Sequence, residues 1–171
     1  AQKQYAYTRT PRELLFAFKK RALVHFAVDP DEVYMTTRLA GSKTFWLPFN
    51  RGHHNGAGNP PNADGYRTAY LWEKILVKDS LMEIIQRFIH LEKEEDPATG
   101  RATRKEKMIF PRYHQLDVVR QITNNARSHG AGRNYLVQHS AGSGKSNSIA
   151  WLAYRLSSLH NAQQQRVFDS V

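Results

Sequence analysis

Cysteine is absent from the 171 residues, and no stretch approaches the length of apolar sequence that a membrane crossing needs. The first absence excludes a disulfide framework and any metal site built on thiolates. A membrane-spanning helix takes about 20 consecutive apolar residues, so none is expected. Nor do the given residues open with a basic segment followed by an apolar one, the pattern of a secretory signal. We therefore expect a cytoplasmic protein without a membrane partner.

Acidic residues are also scarce, since 25 Lys and Arg stand against 15 Asp and Glu and leave a net charge of +10. An excess of that size favours a polyanionic partner, because each phosphate that a basic side chain neutralises releases condensed counterions. A length of 171 residues fits one domain or two incomplete ones. The last residues, 166–171, read as a strand cut off in mid-course, so we expect the sequence to be a piece of a longer protein.

The first two thirds of the chain alternate between strand-like and helix-like patterns. Residues 22–28 and 33–39 are rich in β-branched and aromatic side chains, and the Asp- and Pro-containing turn between them predicts a hairpin. The remaining predicted elements are a short strand at 44–47, a glycine-rich loop at 50–65, helices within 69–89 and a charged loop or linker at 92–107.

The last third predicts a parallel α/β sheet. A helix over 112–128 is followed by Gly130 and Gly132, which are typical helix-ending residues. Residues 134–138 then predict a strand, a glycine-rich turn leads into a helix over 145–160, and a further strand begins at 167. Strand, helix, strand in this order is a βαβ unit.

The turn between the strand at 134–138 and the following helix carries the chemistry. Gly142 and Gly144 let the backbone curl so that successive N–H groups face a phosphate, and the helix directs its positive end there. Lys145 supplies a charge for the β- and γ-phosphates of ATP, and Ser146 supplies a hydroxyl ligand for Mg²⁺.

Lys145 is therefore the candidate catalytic residue and Ser146 the candidate metal ligand. The general pattern for such a loop places glycine where this chain has His139, so the first glycine is missing while the core is kept. An ordinary strand-to-helix turn is the alternative interpretation. The predicted phosphate-binding residues are His139, Ser140, Ala141, Gly142, Ser143, Gly144, Lys145 and Ser146.

Gln115 is the candidate reader of the base. Its amide presents both a donor and an acceptor and so can pair with an adenine edge. Placed at the start of the helix that precedes the loop, it resembles the adenine-reading glutamine of superfamily 2 helicases.

Beyond these features, residues 110–117 and 134–153 resemble the restriction (motor) subunit of type I restriction-modification enzymes. Residues 22–28, 33–39 and 47–52 are similar to the same family, so the resemblance spans almost the whole chain. It implies an α/β protein in which a nuclease domain of the PD-(D/E)xK class precedes two RecA-like motor domains.

The same resemblance implies ATP-driven translocation and cleavage of double-stranded DNA, in a complex with methylation and specificity subunits. Residues 1–68 then correspond to the trailing part of the nuclease domain and residues 109–171 to the start of the first motor domain. Residues 69–108 form a helical connector and a charged linker. The metal ligands of the nuclease and the acidic motif of the motor would lie outside the given residues.

Two other functions fit the same sequence. One is a stand-alone P-loop module that binds a nucleotide or a nucleic acid and has no nuclease activity. The other is a basic interaction protein in which the glycine-rich turn has no role in ATP binding.

We expect residues 1–171 alone neither to cleave DNA nor to hydrolyse ATP, because phosphoryl transfer depends on positioned Mg²⁺ and a positioned water. The assay combines the purified chain with Mg²⁺, ATP and unmethylated duplex DNA. ATP turnover above a protein-free control, abolished by Lys145→Ala, would show that the catalytic acid lies within these residues.

Overall fold

The structure is a computed structural model that describes residues 1–54, 56–96 and 98–171, with the backbone alone at 94, 95, 102 and 104. The fold is mixed α/β. It divides into two compact units, Ala1–Arg112 and Tyr113–Val171. Among the described residues, no helix has the length and apolar character to span a bilayer. The division of the chain at residues 68 and 108 stays a prediction.

The first unit is built on a small antiparallel sheet in the order β1-β2-β3. Strands β1 (His25–Val28) and β2 (Val33–Thr36) form the predicted hairpin, with Phe26 opposite Met35. The third strand, predicted at 44–47, is β3 (Leu47–Pro48), which pairs with β2.

The turn between β1 and β2 has the predicted chemistry. The Asp29 carboxylate accepts hydrogen bonds from the N–H groups of Asp31 at 3.1 Å and Glu32 at 2.9 Å. These local hydrogen bonds form the turn without contacts from distant residues. The same turn accounts for the acidic cluster of Asp29, Asp31 and Glu32.

Three phenylalanines form the centre of the first unit. The ring of Phe49 lies 5.3 Å from that of Phe26 and 6.2 Å from that of Phe110, measured between centroids. Phe26 and Phe110 meet edge to face at 5.8 Å. Edge-to-face pairs add to the free energy of burial because the positive ring edge meets the negative ring face.

A short helix, α1 (Gln2–Thr8), is joined to this sheet by one polar contact. The Tyr5 hydroxyl lies 3.1 Å from Nδ1 of His25, which is buried in β1. Burial lowers the pKa of His25, and the positive charge of Arg9 lowers it further. A neutral imidazole can accept the Tyr5 hydrogen at Nδ1, so the pair is satisfied without a buried charge.

The glycine-rich loop after β3 is held at its base by Asn59, which is buried. Its amide nitrogen donates to the Asp31 carbonyl at 2.8 Å and to the Asn50 side chain at 2.9 Å. Its amide oxygen accepts the Arg51 N–H at 2.9 Å. One side chain thus satisfies three backbone or side-chain groups in a stretch that has no regular structure. Asn55, inside this loop, lies outside the described residues.

The helices predicted within 69–89 are present as a π-helical turn, Leu71–Ile75, and the helix α2, Lys78–Arg87. Ile84 of α2 is fully buried, and so is Phe88, which follows the helix. The apolar three- and four-residue spacing therefore located these elements correctly.

The prediction of a loop or linker at 92–107 was wrong. The residues form an antiparallel hairpin of β4 (His90–Glu95) and β5 (Ala102–Ile109). Opposite charges face each other across it, in the pairs Glu92–Lys107 and Lys93–Glu106. Such cross-strand pairs stabilise a sheet by about 0.2–1 kcal/mol each, so a charge-rich stretch can still form strands.

The hairpin is also fastened to the rest of its unit. The Thr37 hydroxyl donates to the Met108 carbonyl at 2.9 Å, and Lys19 forms a salt bridge with Glu106. Met108 and Ile109 are buried. The end of β5 is therefore covered on both faces, because consecutive side chains of a strand point to opposite sides.

The second unit contains two helices, α3 (Tyr113–His129) and α4 (Lys145–Ser157). The end predicted for α3 is confirmed, because Gly130 has a φ of +81° and donates its N–H to the Ala126 carbonyl at 2.9 Å. Helix α4 ends at Ser157, three residues before the predicted end.

The strands predicted at 134–138 and from 167 are not formed in the described part of the chain, so that prediction was wrong and no parallel sheet is present among these residues. In the described part of the chain, residues 134–138 and 167–168 are not strands, and both sheets are antiparallel. A strand needs a neighbour to pair its N–H and C=O groups. Here Val167 instead donates to the Leu159 carbonyl at 2.9 Å, and Arg166 bridges to His160. The side chain of Leu136 consequently stays 96% exposed.

Replacing Phe49 by Ala should destabilise the first unit by about 3–5 kcal/mol, because a fully buried ring leaves a cavity that the neighbours only partly fill. Denaturant unfolding monitored by circular dichroism measures the loss. Phe45→Ala is the matched control, since that ring is 75% exposed and should change stability by no more than about 0.5 kcal/mol. Equal losses in the two variants would contradict this account of the core.

Candidate phosphate-binding site

The predicted phosphate-binding loop, residues 139–146, is a tight glycine turn that leads directly into α4. Gly142 and Gly144 have φ values of +71° and +80°, in the left-handed region that favours glycine. Gly144 is also the residue that caps the N-terminus of α4. The two glycines therefore give the backbone the curled conformation that the sequence pattern predicts.

This curl leaves backbone donors unused at the start of the helix. In the described part of the chain, the N–H groups of Gly142, Gly144, Lys145 and Ser146 make no backbone hydrogen bond. The first N–H groups of any helix lack an intrahelical partner, and they carry the positive end of its dipole. Four unused donors beside a helix N-terminus are suited to a phosphate group.

Lys145 lies across the loop that it belongs to. Its ammonium group donates to the Ser140 carbonyl at 2.9 Å and to the His139 carbonyl at 3.2 Å, and the residue is exposed. An exposed ammonium group on a flexible stem can exchange carbonyl oxygens for phosphate oxygens. The ammonium group therefore lies within the loop for which phosphate binding is predicted.

Two side chains at the start of α3 contact the same loop. Gln115, which is 3% exposed, donates from Nε2 to the Gly144 carbonyl at 2.8 Å and to the Ser143 carbonyl at 3.2 Å. His114 places Nε2 3.1 Å from the Ser143 carbonyl oxygen. The loop therefore rests on α3 through its carbonyl groups.

The position of Gln115 matters for its predicted role. Both hydrogens of an amide nitrogen are used when it makes two hydrogen bonds, and Gln115 makes both of them inside the loop. Pairing with an adenine edge through this nitrogen requires at least one of these bonds to be released. The adenine-reading role stays a prediction, while the contact with the loop is a property of the structure.

Several buried polar atoms around the loop lack a hydrogen-bond partner. They are Nδ1 of His139 and the hydroxyl oxygens of Ser143 and Ser148. Each such atom costs about 1–3 kcal/mol, so native folds contain few of them away from functional sites. Two of these atoms, on His139 and Ser143, belong to the predicted phosphate-binding loop.

The structure brings the predicted phosphate-binding residues together and adds one that sequence reasoning did not single out. Ser146 lies exposed in the first turn of α4, and its role as a Mg²⁺ ligand stays a prediction. His114 was missed as a loop contact, because nothing in its spacing distinguishes it from other helix-start residues. The sequence feature that pointed to this contact was the position of His114 next to Gln115.

Among the described residues, no cluster of three or more His, Asp or Glu is placed to hold a metal ion. Asp31 instead pairs with Arg67 at 3.6 Å, in addition to its part in the turn after β1. This agrees with the interpretation of residues 29–32 as structural.

Comparison with known proteins found no matching family model, no matching curated protein and no matching solved structure. The resemblance to restriction subunits therefore stays a prediction from sequence motifs.

Gly144→Ala should destabilise the protein more than Gly132→Ala. Both glycines have positive φ, +80° and +93°, so both variants carry the left-handed strain of about 1–2 kcal/mol. At Gly144 alone the new methyl group would lie 2.5 Å from Gln115 Nε2, whereas nothing lies within 4 Å at Gly132. Displacing Gln115 should cost about 1–2 kcal/mol more, measured by denaturant unfolding. Equal costs would mean that Gln115 does not support the loop.

Proposed function

We propose that this chain is the junction between nuclease and motor in an ATP-dependent, DNA-translocating type I restriction endonuclease subunit. The observation that carries the proposal is the glycine turn at 139–146, with four unused N–H donors, a helix N-terminus and Lys145 at one place. In this proposal the turn binds the β- and γ-phosphates of ATP.

The chain's own residues would each have a distinct task. Lys145 leaves the Ser140 and His139 carbonyls and pairs with phosphate oxygens, while the N–H groups of the turn donate to them. Ser146 would hold Mg²⁺, and the ion would supply positive charge that stabilises the bound phosphates. Gln115 is proposed to read the adenine edge, and it would first release bonds to the loop.

The surface of the second unit is consistent with a larger RecA-like sheet. Tyr135, Leu136 and Val137 are exposed although they are apolar or aromatic. A cavity of about 160 Å³ with a mainly apolar lining lies between α3, α4 and Val137. Exposed apolar strand-like residues next to an apolar cavity are the surface that further strands of a motor domain would cover.

Double-stranded DNA is the proposed polyanionic partner, supported by the net charge of +10 and by the motif resemblance. The methylation and specificity subunits belong to the proposal through the resemblance alone. They rest on residues 110–117 and 134–153.

Lys145→Ala should abolish ATP hydrolysis and DNA translocation by the full-length protein. Removing a charge that stabilises the transferred phosphoryl group typically lowers the rate by about 100-fold or more. Steady-state ATPase and translocation assays on duplex DNA measure the effect. Lys78→Ala is the matched control, because Lys78 is an exposed lysine at the start of α2 and should leave both rates unchanged. A Lys145→Ala protein within a few-fold of wild type would contradict the proposed function.

A further inference from the structure

The Ser143 carbonyl accepts from two side chains of α3, and one of them has no role in the function proposed above. His114 Nε2 lies 3.1 Å from that oxygen. A carbonyl oxygen only accepts hydrogen bonds, so His114 must carry its hydrogen at Nε2. We propose that His114 is a positioning residue that holds the Ser143–Gly144 peptide in the orientation needed for phosphate binding. The inference rests on the proposed function of the loop.

The reason lies in the planarity of the peptide group. The C=O of one residue and the N–H of the next belong to one plane and point in opposite directions. Fixing the Ser143 carbonyl toward α3 therefore directs the Gly144 N–H away from α3. On the next peptide, the Gly144 carbonyl accepts from Gln115 and from the Asn147 and Ser148 N–H groups of α4, and this directs the Lys145 N–H.

The glycines that flank Ser143 make the hydrogen bond to its carbonyl necessary. Gly142 and Gly144, on either side of Ser143, have positive φ and can also adopt the ordinary negative values. The peptide between Ser143 and Gly144 can thus rotate unless its carbonyl is held. A rotated peptide would present an oxygen where a phosphate needs a donor.

His139 supports the ring of His114. The two imidazole rings meet edge to face, with their centroids 4.7 Å apart and an interplanar angle of 77°. His139 stands where the general loop pattern has glycine, and a glycine would remove this contact. The departure from the pattern therefore has a structural effect. The His139 ring, which stands in place of the glycine, orients the His114 ring, and the His114 ring holds the loop.

His114 also separates the two tasks of Gln115. If Gln115 turns toward an adenine edge, it releases the Ser143 and Gly144 carbonyls. His114 still holds the Ser143 carbonyl, so the loop keeps one of its supports while the base is bound.

The first test is spectroscopic and uses the unaltered 171-residue chain. Long-range ¹H–¹⁵N correlation of the imidazole rings shows which nitrogen of His114 carries the hydrogen. We expect the hydrogen at Nε2, with a shift when inorganic pyrophosphate is added. A neutral ring with its hydrogen at Nδ1 would overturn the proposal, whatever the loop binds.

The second test measures pyrophosphate binding by calorimetry. His114→Ala should weaken binding about five- to tenfold, the equivalent of one hydrogen bond. His114→Gln, whose amide nitrogen can donate from the same place, should restore affinity to within about twofold. His129→Ala is the matched control on the same helix, where the ring contacts only the exposed end of α3, and should change nothing.

The outcomes distinguish the two proposals. Equal binding by wild type and Lys145→Ala would refute phosphate binding by the loop, while the ring spectrum still decides the role of His114. Loss of binding in Lys145→Ala together with unchanged affinity in His114→Ala would refute the positioning role alone. A His114→Gln protein as weak as His114→Ala would do the same, provided that circular dichroism shows both to be folded.

Discussion

The attachment of the glycine turn to α3 is the interaction on which the candidate site depends. Gln115 and His114 both donate to carbonyl groups of the turn, from consecutive positions at the start of one helix. The start of α3 is anchored because Leu116 and Val119 in its first turns are buried. A flexible glycine segment is thus held in shape by a neighbour that cannot easily move.

The sequence predicted those parts of the fold that depend on local chemistry. The turn after β1 follows from Asp29 bonding its own backbone, and the end of α3 follows from the left-handed conformation of Gly130. The curl at Gly142 and Gly144 has the same origin. Each of these features depends on residues a few positions apart, so the local sequence pattern is enough to predict it.

Prediction failed where the outcome depends on distant partners. Residues 92–107 were interpreted from their charge, but Thr37 and Lys19 hold the hairpin from positions about 70 and 90 residues away. Residues 134–138 have strand-like composition, yet no neighbouring strand pairs with them in the described chain. The contact of His114 with Ser143 likewise joins residues 29 positions apart, and no spacing pattern in the sequence predicts it.

The resting position of Lys145 has a consequence for which anions can bind. Its ammonium group is already satisfied by the Ser140 and His139 carbonyls, so an incoming ligand competes with the protein's own oxygens. Chloride or a single weak acid offers little more than those carbonyls do, whereas adjacent phosphates offer several strong acceptors and a higher charge. Under the proposed function, the bent lysine would therefore favour ligands with adjacent phosphates over simple anions such as chloride.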